Sequence, residues 1–581
     1  MNRRLAIAAG LSVILALSLA ACNKKNENNP SPDNTTPVFD AANGKVFKPS
    51  DKTGGTLHFG IAGDWDSVDP GDTYYGLSWN ILRLYGRALT MFKPEAGHAS
   101  QELVGDLAEG LGVPSDGAKT WTYKLRAGLK YEDGSPITSR DVKYAVLRTV
   151  DKDTLVNGPT YFGDTLDLKG YTGPFKMPNA DTTAIETPDD RTIVFHLKTG
   201  FSGFDYFAML PATVPVPKAK DTGVKYKEHV IASGPYKFAT FEAGKSFTLV
   251  RNDQWSKATD PNRKALPDKY EVTLGMNADD VDKQLQAGTL DVDLAGTGIQ
   301  PAALSTVLGD PALKAQADNP ALARLWFTNI NPKVAPFDNI ECRKAVMYAT
   351  DRVSYQSAFG GPFAGGDIAT GLMPPQIPGF QKFDLYPAGA DNHGDLTKAK
   401  DALTKCGKPN GFETTIAYRT ERPKEKATAE ALQQALNRVG IKLTIKGFPQ
   451  KDYFAAFAGK PSYRDGNNLG LLQNGWGADW NDGYGFLSQI VDSRTIRESG
   501  GASNFTVYSS EVDTMIDQAL AETDTAKRNT LWQKIDQKVM EGAYILPGVW
   551  AKALTLRSKK ATNIFVNEAF GQYDYMAMGA A

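Results

Sequence analysis

The sequence predicts a mixed α/β fold divided into more than one lobe, and three observations lead to this prediction. The chain has 581 residues, which is more than one hydrophobic core holds, because cores stop growing near about 250–300 residues. Segments in which apolar and polar residues alternate, as in half-buried strands, occur beside segments with apolar residues at four-residue spacing, as in amphipathic helices. The two kinds of segment alternate irregularly, and the sequence has no internal repeat of fixed period.

Strands are predicted where alternation is clearest. Their positions are 54–63, 119–126, 191–198, 245–252 and 269–276. Long connections rich in glycine and proline, such as 359–395, separate some of the elements.

Helices are predicted where a start signal precedes an apolar face. Thr138 with Asp141, and Asp338 with Glu341, have the spacing of a capping box before such segments. In the segment 526–541, three apolar residues recur at four-residue spacing, as one buried face requires (Leu531, Ile535 and Val539). Two further helices are predicted at 424–439 and 511–522.

The balance of charges excludes some classes of protein. Lysine plus arginine number 65 and aspartate plus glutamate 66, which leaves a formal net charge of −1. Nucleic-acid-binding proteins usually carry a basic excess or stripe, so we expect no nucleic-acid partner. Hydrophobic residues make up 41% and charged residues 23% of the chain, as in globular proteins. Only one long apolar run is present, which excludes a protein with several membrane spans.

The N-terminus has the pattern of an export signal. Arg3 and Arg4 precede an apolar run, and residues 1–21 are therefore predicted to be a signal peptide. The run ends Leu-Ala-Ala-Cys, which resembles the bacterial lipobox, so we expect cleavage before Cys22 and lipidation of that cysteine. The alternative is an uncleaved anchor. Residues 22–53 are polar and poor in apolar residues, and are predicted to be a flexible tether.

Cys342 and Cys406 are the other two cysteines of the chain. In an oxidising compartment an even pair is consistent with one disulfide. The alternative is two buried thiols in separate places. Neither cysteine has a histidine near it in sequence, which gives little support to a catalytic or metal-binding role.

Signatures of enzymes are missing from the sequence. The five histidines lie far apart, and none forms an HExxH pair. Gly244-Lys245-Ser246 resembles the end of a phosphate-binding loop, but Ala239 stands where its first glycine belongs. We therefore expect no catalytic residues, no metal and no cofactor. A hydrolase with two carboxylates far apart in sequence remains an alternative.

Two glycine-rich loops combine aromatic residues with carboxylates. One is LQNGWGADWNDGYGFL at 472–487, where Trp476 and Trp480 flank Asp479, and the other is GDWDSVDPGDTYYG at 63–76. Aromatic residues supply apolar walls to a binding site, and a carboxylate among them can pair with a ligand ammonium group. The alternative is that the aromatic residues fill the core and the acids face solvent.

Five stretches, taken in order, resemble the extracellular solute-binding proteins of peptide ABC importers, the oligopeptide/dipeptide-binding family (solute-binding family 5). They carry the "DLAE" entry with its "DG-P-T" turn, the Gly-Pro-Tyr hairpin and the Trp-x-x-Asp segment. The stretches are 103–148, 232–252, 285–292, 336–352 and 475–487.

The resemblance implies a two-lobed periplasmic-binding-protein-like fold (type II, cluster C) with an extra domain beside lobe one. Ligand is enclosed between the lobes by a hinge motion, and the crossings are expected near 321–331 and 542–550. The expected division is lobe one at 54–90, 214–324 and 544–581, the extra domain at 91–213, and lobe two at 325–543.

The resemblance also implies the site. Asp479 matches the aspartate that pairs with the α-ammonium group of a peptide, and Trp476 would form a wall, with Trp480 beside it. Tyr74, Tyr75 and Ser233 are expected to line the cleft by position.

The function implied is that of a monomeric lipoprotein receptor on the extracellular face of the cell membrane. It would capture di- or oligopeptides and deliver them to the permease of an ABC importer. One alternative is the same transport role for a non-peptide solute such as an oligosaccharide, because Trp476 and Trp480 could stack a sugar ring. A secreted hydrolase is the other alternative.

Overall fold

The structure is a computed structural model that describes residues 36–580. The predicted signal peptide, residues 1–21, and the predicted lipid site, Cys22, lie outside the described residues. Between residues 36 and 580 no helix combines the length and the apolar character that a membrane crossing needs.

Lobe one is built on a mixed five-stranded sheet. Counted in spatial order, the first three strands are parallel to one another. The fourth strand is antiparallel to the third, and the fifth is antiparallel to the fourth. In spatial order the strands are Val292–Asp293, Thr56–Ala62, Lys269–Met276, Ser246–Arg251 and Tyr236–Glu242. The helices of this lobe are Gly76–Leu82, Ala278–Ala287, Pro301–Gly309 and Pro311–Lys314.

Lobe two is built on a six-stranded sheet whose central strand is antiparallel to both of its neighbours. In spatial order the strands are Gly366–Ile368, Ile545–Lys552, Ala321–Ile330, Leu469–Gly477, Glu413–Arg419 and Lys442–Phe448. Its helices are Ile340–Ala349, Arg352–Ala358, Gly361–Ala364, Leu396–Lys405, Pro423–Asn437, Pro461–Gly466, Gly483–Val491, Ser510–Ala521 and Thr525–Glu541.

The extra domain holds an antiparallel four-stranded sheet and three helices. The strands, in spatial order, are Val113–Ser115, Thr120–Lys124, Thr192–His196 and Ile185–Asp189, and the helices are Ser139–Arg148, Tyr161–Thr165 and Phe204–Ala208. Four short antiparallel pairs complete the strands: Thr90–Phe92 with Leu103–Gly105, Ala317–Asp318 with Thr555–Leu556, Ala561–Thr562 with Gly579–Ala580, and Val566–Asn567 with Gln572–Tyr573. Lobe one and the extra domain share one hydrophobic core, whereas lobe two has its own.

The helix signals of the sequence are confirmed, with corrections at two residues. The capping box of Thr138 and Asp141 begins the helix Ser139–Arg148. The other predicted cap moves by one residue, because the side chain of Asn339, not of Asp338, accepts from the N–H of Glu341. The helix Thr525–Glu541 buries Ile535 and Val539 as predicted, and Trp532 beside them, whereas Leu531 is only partly buried.

Part of the segment that the sequence predicts to be a tether packs against lobe one. The sequence predicts a flexible tether over 22–53, but Phe47 is 2% exposed and exchanges two backbone hydrogen bonds with Ile564. Ala42 is buried as well, and its N–H donates to Asp318. The few apolar residues of this segment therefore pack on lobe one. The low overall hydrophobicity of the segment gave no indication of this contact.

The pairing of strands also moves the boundaries between the lobes. Ala321 pairs with Lys552 inside the lobe-two sheet, whereas Ala317 pairs with Leu556 on the side of lobe one. The chain therefore crosses at about 319–320 and 553–554, which is about five residues before the predicted boundary after 324 and about ten residues after the predicted boundary after 543. The two strands expected to be hinges belong to lobe two along their whole length.

The sulfur atoms of Cys342 and Cys406 are bonded. Cys342 lies in the helix Ile340–Ala349, and Cys406 follows the last residue of the helix Leu396–Lys405. The disulfide therefore joins two neighbouring helices within lobe two.

Candidate functional site

The two lobes contact each other directly through side chains of the loop that follows the first strand. The phenol of Tyr74 donates to Oδ2 of Asp479 over 2.7 Å, and that of Tyr75 donates to the carbonyl oxygen of Gln450 over 3.1 Å. Gln450 in turn donates its side-chain N–H to the carbonyl oxygen of Asp64 over 2.8 Å. The lobes are therefore closed on each other along this line.

Asp479 is held at the end of a central strand of lobe two. The strand Leu469–Gly477 ends two residues earlier, and the N–H of Ala478 still donates to the carbonyl oxygen of Ala323. On the other side of the loop, the side chain of Asp482 caps the helix Gly483–Val491 by accepting from the N–H of Tyr484. A loop fixed at both ends by hydrogen bonds holds the carboxylate of Asp479 towards lobe one.

The carboxylate of Asp479 is 8% exposed and has two phenols as its side-chain partners. Tyr74 of lobe one and Tyr161 of the extra domain each donate to Oδ2 over 2.7 Å. Burial raises the pKa of Asp479 to about 7, against the opposing effect of the two phenols. Within the described chain, no lysine or arginine contributes to this carboxylate, so a positive charge is the component that the site lacks.

Trp476 is a wall of the same site. Its ring lies edge-on to that of Tyr74, with the centroids 5.5 Å apart. Its indole N–H is buried and has no hydrogen-bond partner among the described residues. A buried donor without an acceptor lowers stability, so this N–H is available for an oxygen atom of a ligand.

A cavity of about 530 Å³, here called the Trp476 cavity, opens in front of these residues. Both lobes and the extra domain contribute to its walls. They are formed by Asp66, Tyr74, Tyr75, Gly76 and Asn157 on one side, and by Arg324, Lys451, Phe454, Trp476, Gly501 and Ser503 on the other.

A second cavity, also of about 530 Å³ and here called the Lys424 cavity, adjoins the first. Arg422 and Gln450 line it and also contact Tyr75 of the Trp476 cavity. Burial lowers the pKa of Lys424 to about 8 and raises that of Asp282 to about 7. Trp326 lines this cavity too, and its indole occupies the space that any side chain at position 475 would fill, since a Cβ atom there would lie 2.1 Å from the ring.

The structure corrects the expectations for Trp480 and Ser233. Trp480 is 2% exposed and stacks on Tyr206 of the extra domain, with the ring planes 10° apart, so it belongs to the core. Ser233 is buried inside lobe one, where its hydroxyl accepts from the N–H of Arg87. Neither residue lines the Trp476 cavity or the Lys424 cavity. A tryptophan in a loop can line a cavity or pack between two domains. The residue type and the loop position of Trp480 do not show which of the two it does.

Several residues of the site were not found from the sequence. Tyr161 is in a short helix of the extra domain, with no motif that marks it. Arg324 could have been found from the sequence, since it is a charged residue inside a strand that is otherwise mostly apolar. Within residues 36–580, no three histidine, cysteine, aspartate or glutamate side chains are grouped as a metal site requires.

The model of the bacterial extracellular solute-binding proteins, family 5, matches residues 102–497, which is more than half of the chain. This chain is a member of that family. The family and the two-lobed α/β fold expected from the sequence are thereby confirmed.

Individual relatives span nearly the whole chain. A solved structure titled clavulanic acid biosynthesis oligopeptide binding protein 2 is 43% identical, with a TM-score of 0.85 over 94% of this chain and 99% of that chain. The probable D,D-dipeptide-binding periplasmic protein DdpA of Escherichia coli is 26% identical over 84% of this chain and 87% of its own length. The Helicobacter pylori periplasmic binding protein DppA, solved with the peptide STSA, shares the fold at 20% identity, with a TM-score of 0.75 over 91% of this chain and 99% of that chain. All three relatives are named as binding proteins.

Proposed function

We propose that this protein captures peptides between its two lobes and presents them to the membrane permease of an ABC importer. The proposal rests above all on Asp479, a buried carboxylate at the contact between the lobes with no cationic partner in the described chain. The α-ammonium group of a peptide supplies the missing charge. Peptide ligands also appear in the names of the relatives that cover most of this chain.

The chemistry of the pairing follows from the environment of Asp479. Taking a carboxylate out of water without a counter-charge disfavours its ionised form, which is why its pKa is raised to about 7. An ammonium group placed beside it favours the ionised form again and forms a charge-assisted hydrogen bond. The phenols of Tyr74 and Tyr161 then hold the carboxylate in position, while Trp476 covers the ligand from the side of lobe two.

The alternative of a sugar ligand depends on two tryptophans that could stack on a sugar ring, and one of them is not available. Trp480 was one of the two tryptophans expected to stack a ring, and its face is already covered by Tyr206. The ring of Trp476 is nearly perpendicular to that of Tyr74, and its indole N–H has no acceptor among the described residues. These features favour a ligand with amide or carboxylate oxygens over a flat apolar face.

Transport requires that the lobes separate and close again. The crossings near 319–320 and 553–554 are where the chain can bend, and the bonds of Tyr74 and Tyr75 to lobe two break when it does. Ligand enters the open form, closure buries it, and the permease receives the closed form. The protein does not need to catalyse any reaction for this cycle.

The location that we propose is the extracellular face of the membrane, with a lipid on Cys22 as the anchor and a monomer as the working unit. Palmitate labelling of cells that express the full chain tests this anchor. We expect label on the wild-type protein and none on a Cys22→Ser variant. Equal label on both would contradict the anchor without affecting peptide capture.

Native mass spectrometry of the purified protein with a mixture of di- to pentapeptides tests the function. We expect a complex with one peptide per chain, and quenching or enhancement of tryptophan fluorescence on binding. The added peptide should be recovered intact after release. If no peptide is retained, or if the peptides are recovered as hydrolysis products, the proposed function is wrong.

A further inference from the structure

The side chain of Trp480 leaves lobe two and enters the hydrophobic core that lobe one and the extra domain share. Its neighbours Trp476 and Phe486 pack in the core of lobe two instead. Trp480 is 2% exposed and stacks on Tyr206, with the ring centroids 5.3 Å apart. A large apolar side chain of lobe two is therefore buried by the opposite half of the closed molecule.

Three aromatic residues of the extra domain form the pocket that receives this indole. Besides Tyr206 they are Tyr161 and Phe207, whose ring centroids lie 5.2 Å and 5.8 Å from that of Trp480. On the side of lobe two, Gly485 leaves room for the ring, since a Cβ atom there would lie 2.7 Å from the indole. The indole is therefore enclosed by its own lobe on one side and by the extra domain on the other.

Buried ion pairs join the extra domain to lobe one. Arg148 of the extra domain donates to both oxygens of Asp69 in lobe one, over 3.1 Å and 2.9 Å, and neither side chain is more than 2% exposed. Asp106 pairs with Arg263 in the same way. Breaking a buried pair leaves a charge without compensation, which is strongly destabilising. The extra domain therefore stays with lobe one when the lobes separate, and opening withdraws Trp480 from its pocket.

Two polar contacts hold lobe two to the extra domain as well. The side-chain N–H of Asn481 donates to the side-chain oxygen of Gln101 over 2.7 Å. A terminal nitrogen of Arg497 donates to the carbonyl oxygen of Val156 over 3.1 Å, and a Cβ atom on Gly501 would lie 2.0 Å from that same oxygen. All of these contacts join two parts of the chain itself, so none of them requires a bound ligand.

The withdrawal of Trp480 dominates the cost of opening. A tryptophan buries about 150–250 Å² of surface, and the hydrophobic effect grows with the apolar area removed from water. The hydrogen bonds of Tyr74 and Tyr75 to lobe two are exchanged for bonds to water on opening, so their net contribution is smaller. The indole and its pocket have no such replacement in water.

We propose that Trp480 is a closure latch, which holds lobe two on the extra domain without ligand, so that the closed form is the main form of the free protein. The open form is then the minor state of the equilibrium, and ligand enters while the indole is withdrawn. This inference goes beyond the proposed function, because it concerns the free protein and does not depend on what the ligand is.

Small-angle X-ray scattering of the ligand-free protein tests the latch. Each curve is fitted as a mixture of the closed structure and an opened arrangement of the same lobes, which gives the ratio of closed to open molecules. The proteins are the wild type, Trp480→Ala, Trp480→Phe, Tyr206→Ala and, as a control, Phe383→Ala. Phe383 is a half-buried aromatic residue that packs within lobe two.

We expect the wild type to scatter as the closed structure does. The ratio of closed to open molecules should fall by at least about tenfold in Trp480→Ala, because truncating a buried tryptophan removes most of its apolar contacts. Tyr206→Ala should have a larger radius of gyration than the wild type, and Trp480→Phe should lie between the wild type and Trp480→Ala. Phe383→Ala should match the wild type.

Circular dichroism checks that each variant is folded, and Tyr206→Ala decides the matter if Trp480→Ala is not. The inference is wrong if the ligand-free wild type is mainly open, or if the folded latch variants scatter as the wild type does. Either result leaves peptide capture untouched. A failure of peptide capture likewise leaves the latch untouched, because no peptide is added in this experiment.

Discussion

Tyr74 donates its phenolic hydrogen to Oδ2 of Asp479 over 2.7 Å, and this bond joins lobe one to lobe two. The same oxygen accepts from Tyr161 of the extra domain. One carboxylate oxygen of lobe two therefore accepts hydrogen bonds from both lobe one and the extra domain. Closure of the lobes and the state of the ligand site are linked through it.

Replacing Tyr74 by phenylalanine removes one of the two donors. We expect affinity for a captured peptide to fall by about three- to tenfold, because one hydrogen bond of a closed complex contributes about 0.5–1.5 kcal/mol. Isothermal titration calorimetry measures the change. Tyr348→Phe is a matched control, since the hydroxyl of Tyr348 makes no hydrogen bond with the described residues and it lies in lobe two. Equal affinity of wild type and Tyr74→Phe would contradict the role of this bond.

Binding of a free-amine peptide should depend on pH through Asp479. Its pKa is raised to about 7, so the carboxylate is largely ionised at pH 7.5 and largely protonated at pH 5.5. Only the ionised form pairs with an ammonium group, so affinity is present above the pKa and is lost as the pH falls through it. We expect a decrease on the order of tenfold between these two pH values.

The control separates Asp479 from other groups that titrate in the same range. Burial also raises the pKa of Asp66 to about 7, and Asp66 lines the cavity. Asp479→Asn should bind with little dependence on pH over this range. If its pH dependence equals that of the wild type, another group such as Asp66 is responsible.

The junction of the extra domain with lobe one depends on a buried cluster of charges. Asp106 accepts from the Nε of Arg87 over 2.8 Å and from both terminal nitrogens of Arg263 over 2.7 Å. Removing one partner leaves buried charges without compensation, so Asp106→Asn should lower the free energy of unfolding by about 3 kcal/mol or more. Urea denaturation followed by circular dichroism measures it.

A surface pair provides the comparison for this cluster. Arg140 and Asp190 are 2.7 Å apart and mostly exposed. Asp190→Asn should change the free energy of unfolding by less than about 1 kcal/mol. Similar effects of the two substitutions would contradict the structural role assigned to Asp106.

The disulfide should stabilise lobe two. It joins positions 64 residues apart, and closing a loop of that length is expected to contribute about 3–4 kcal/mol. The double variant Cys342→Ala/Cys406→Ala should therefore unfold at lower urea concentration than the oxidised wild type, and like the reduced and alkylated wild type. The same urea midpoint for the oxidised protein and the double variant would contradict this prediction.

Elements with strong local signals could be predicted from the sequence. The helix after Thr138 has its cap and its apolar face in one stretch of chain, so local physical chemistry was sufficient to find it. The Trp-x-x-Asp segment was likewise found as a loop with Asp479 in it, and the structure has that residue at the contact between the lobes.

What could not be predicted depends on contacts between distant parts of the chain. Trp480 looks like Trp476 in sequence, and only the position of Tyr206 makes it a core residue. Phe47 lies in a mostly polar segment, and only its pairing with Ile564 in the folded chain makes it part of lobe one. Arg324 and Arg422 are almost 100 positions apart, and their shared contact with Trp326 appears only in the folded chain.

The most direct test of the account is the affinity of Asp479→Asn for one captured peptide, measured by calorimetry with the free-amine peptide and with its N-acetyl form. Asparagine keeps the shape of the side chain and its ability to accept from Tyr74, but not the charge. We predict that the wild type binds the free-amine form at least about tenfold more tightly than the N-acetyl form, and that the variant binds both forms about equally and weakly. If Asp479→Asn binds the free-amine peptide as tightly as the wild type, Asp479 does not hold the ligand ammonium group, and the central claim is contradicted.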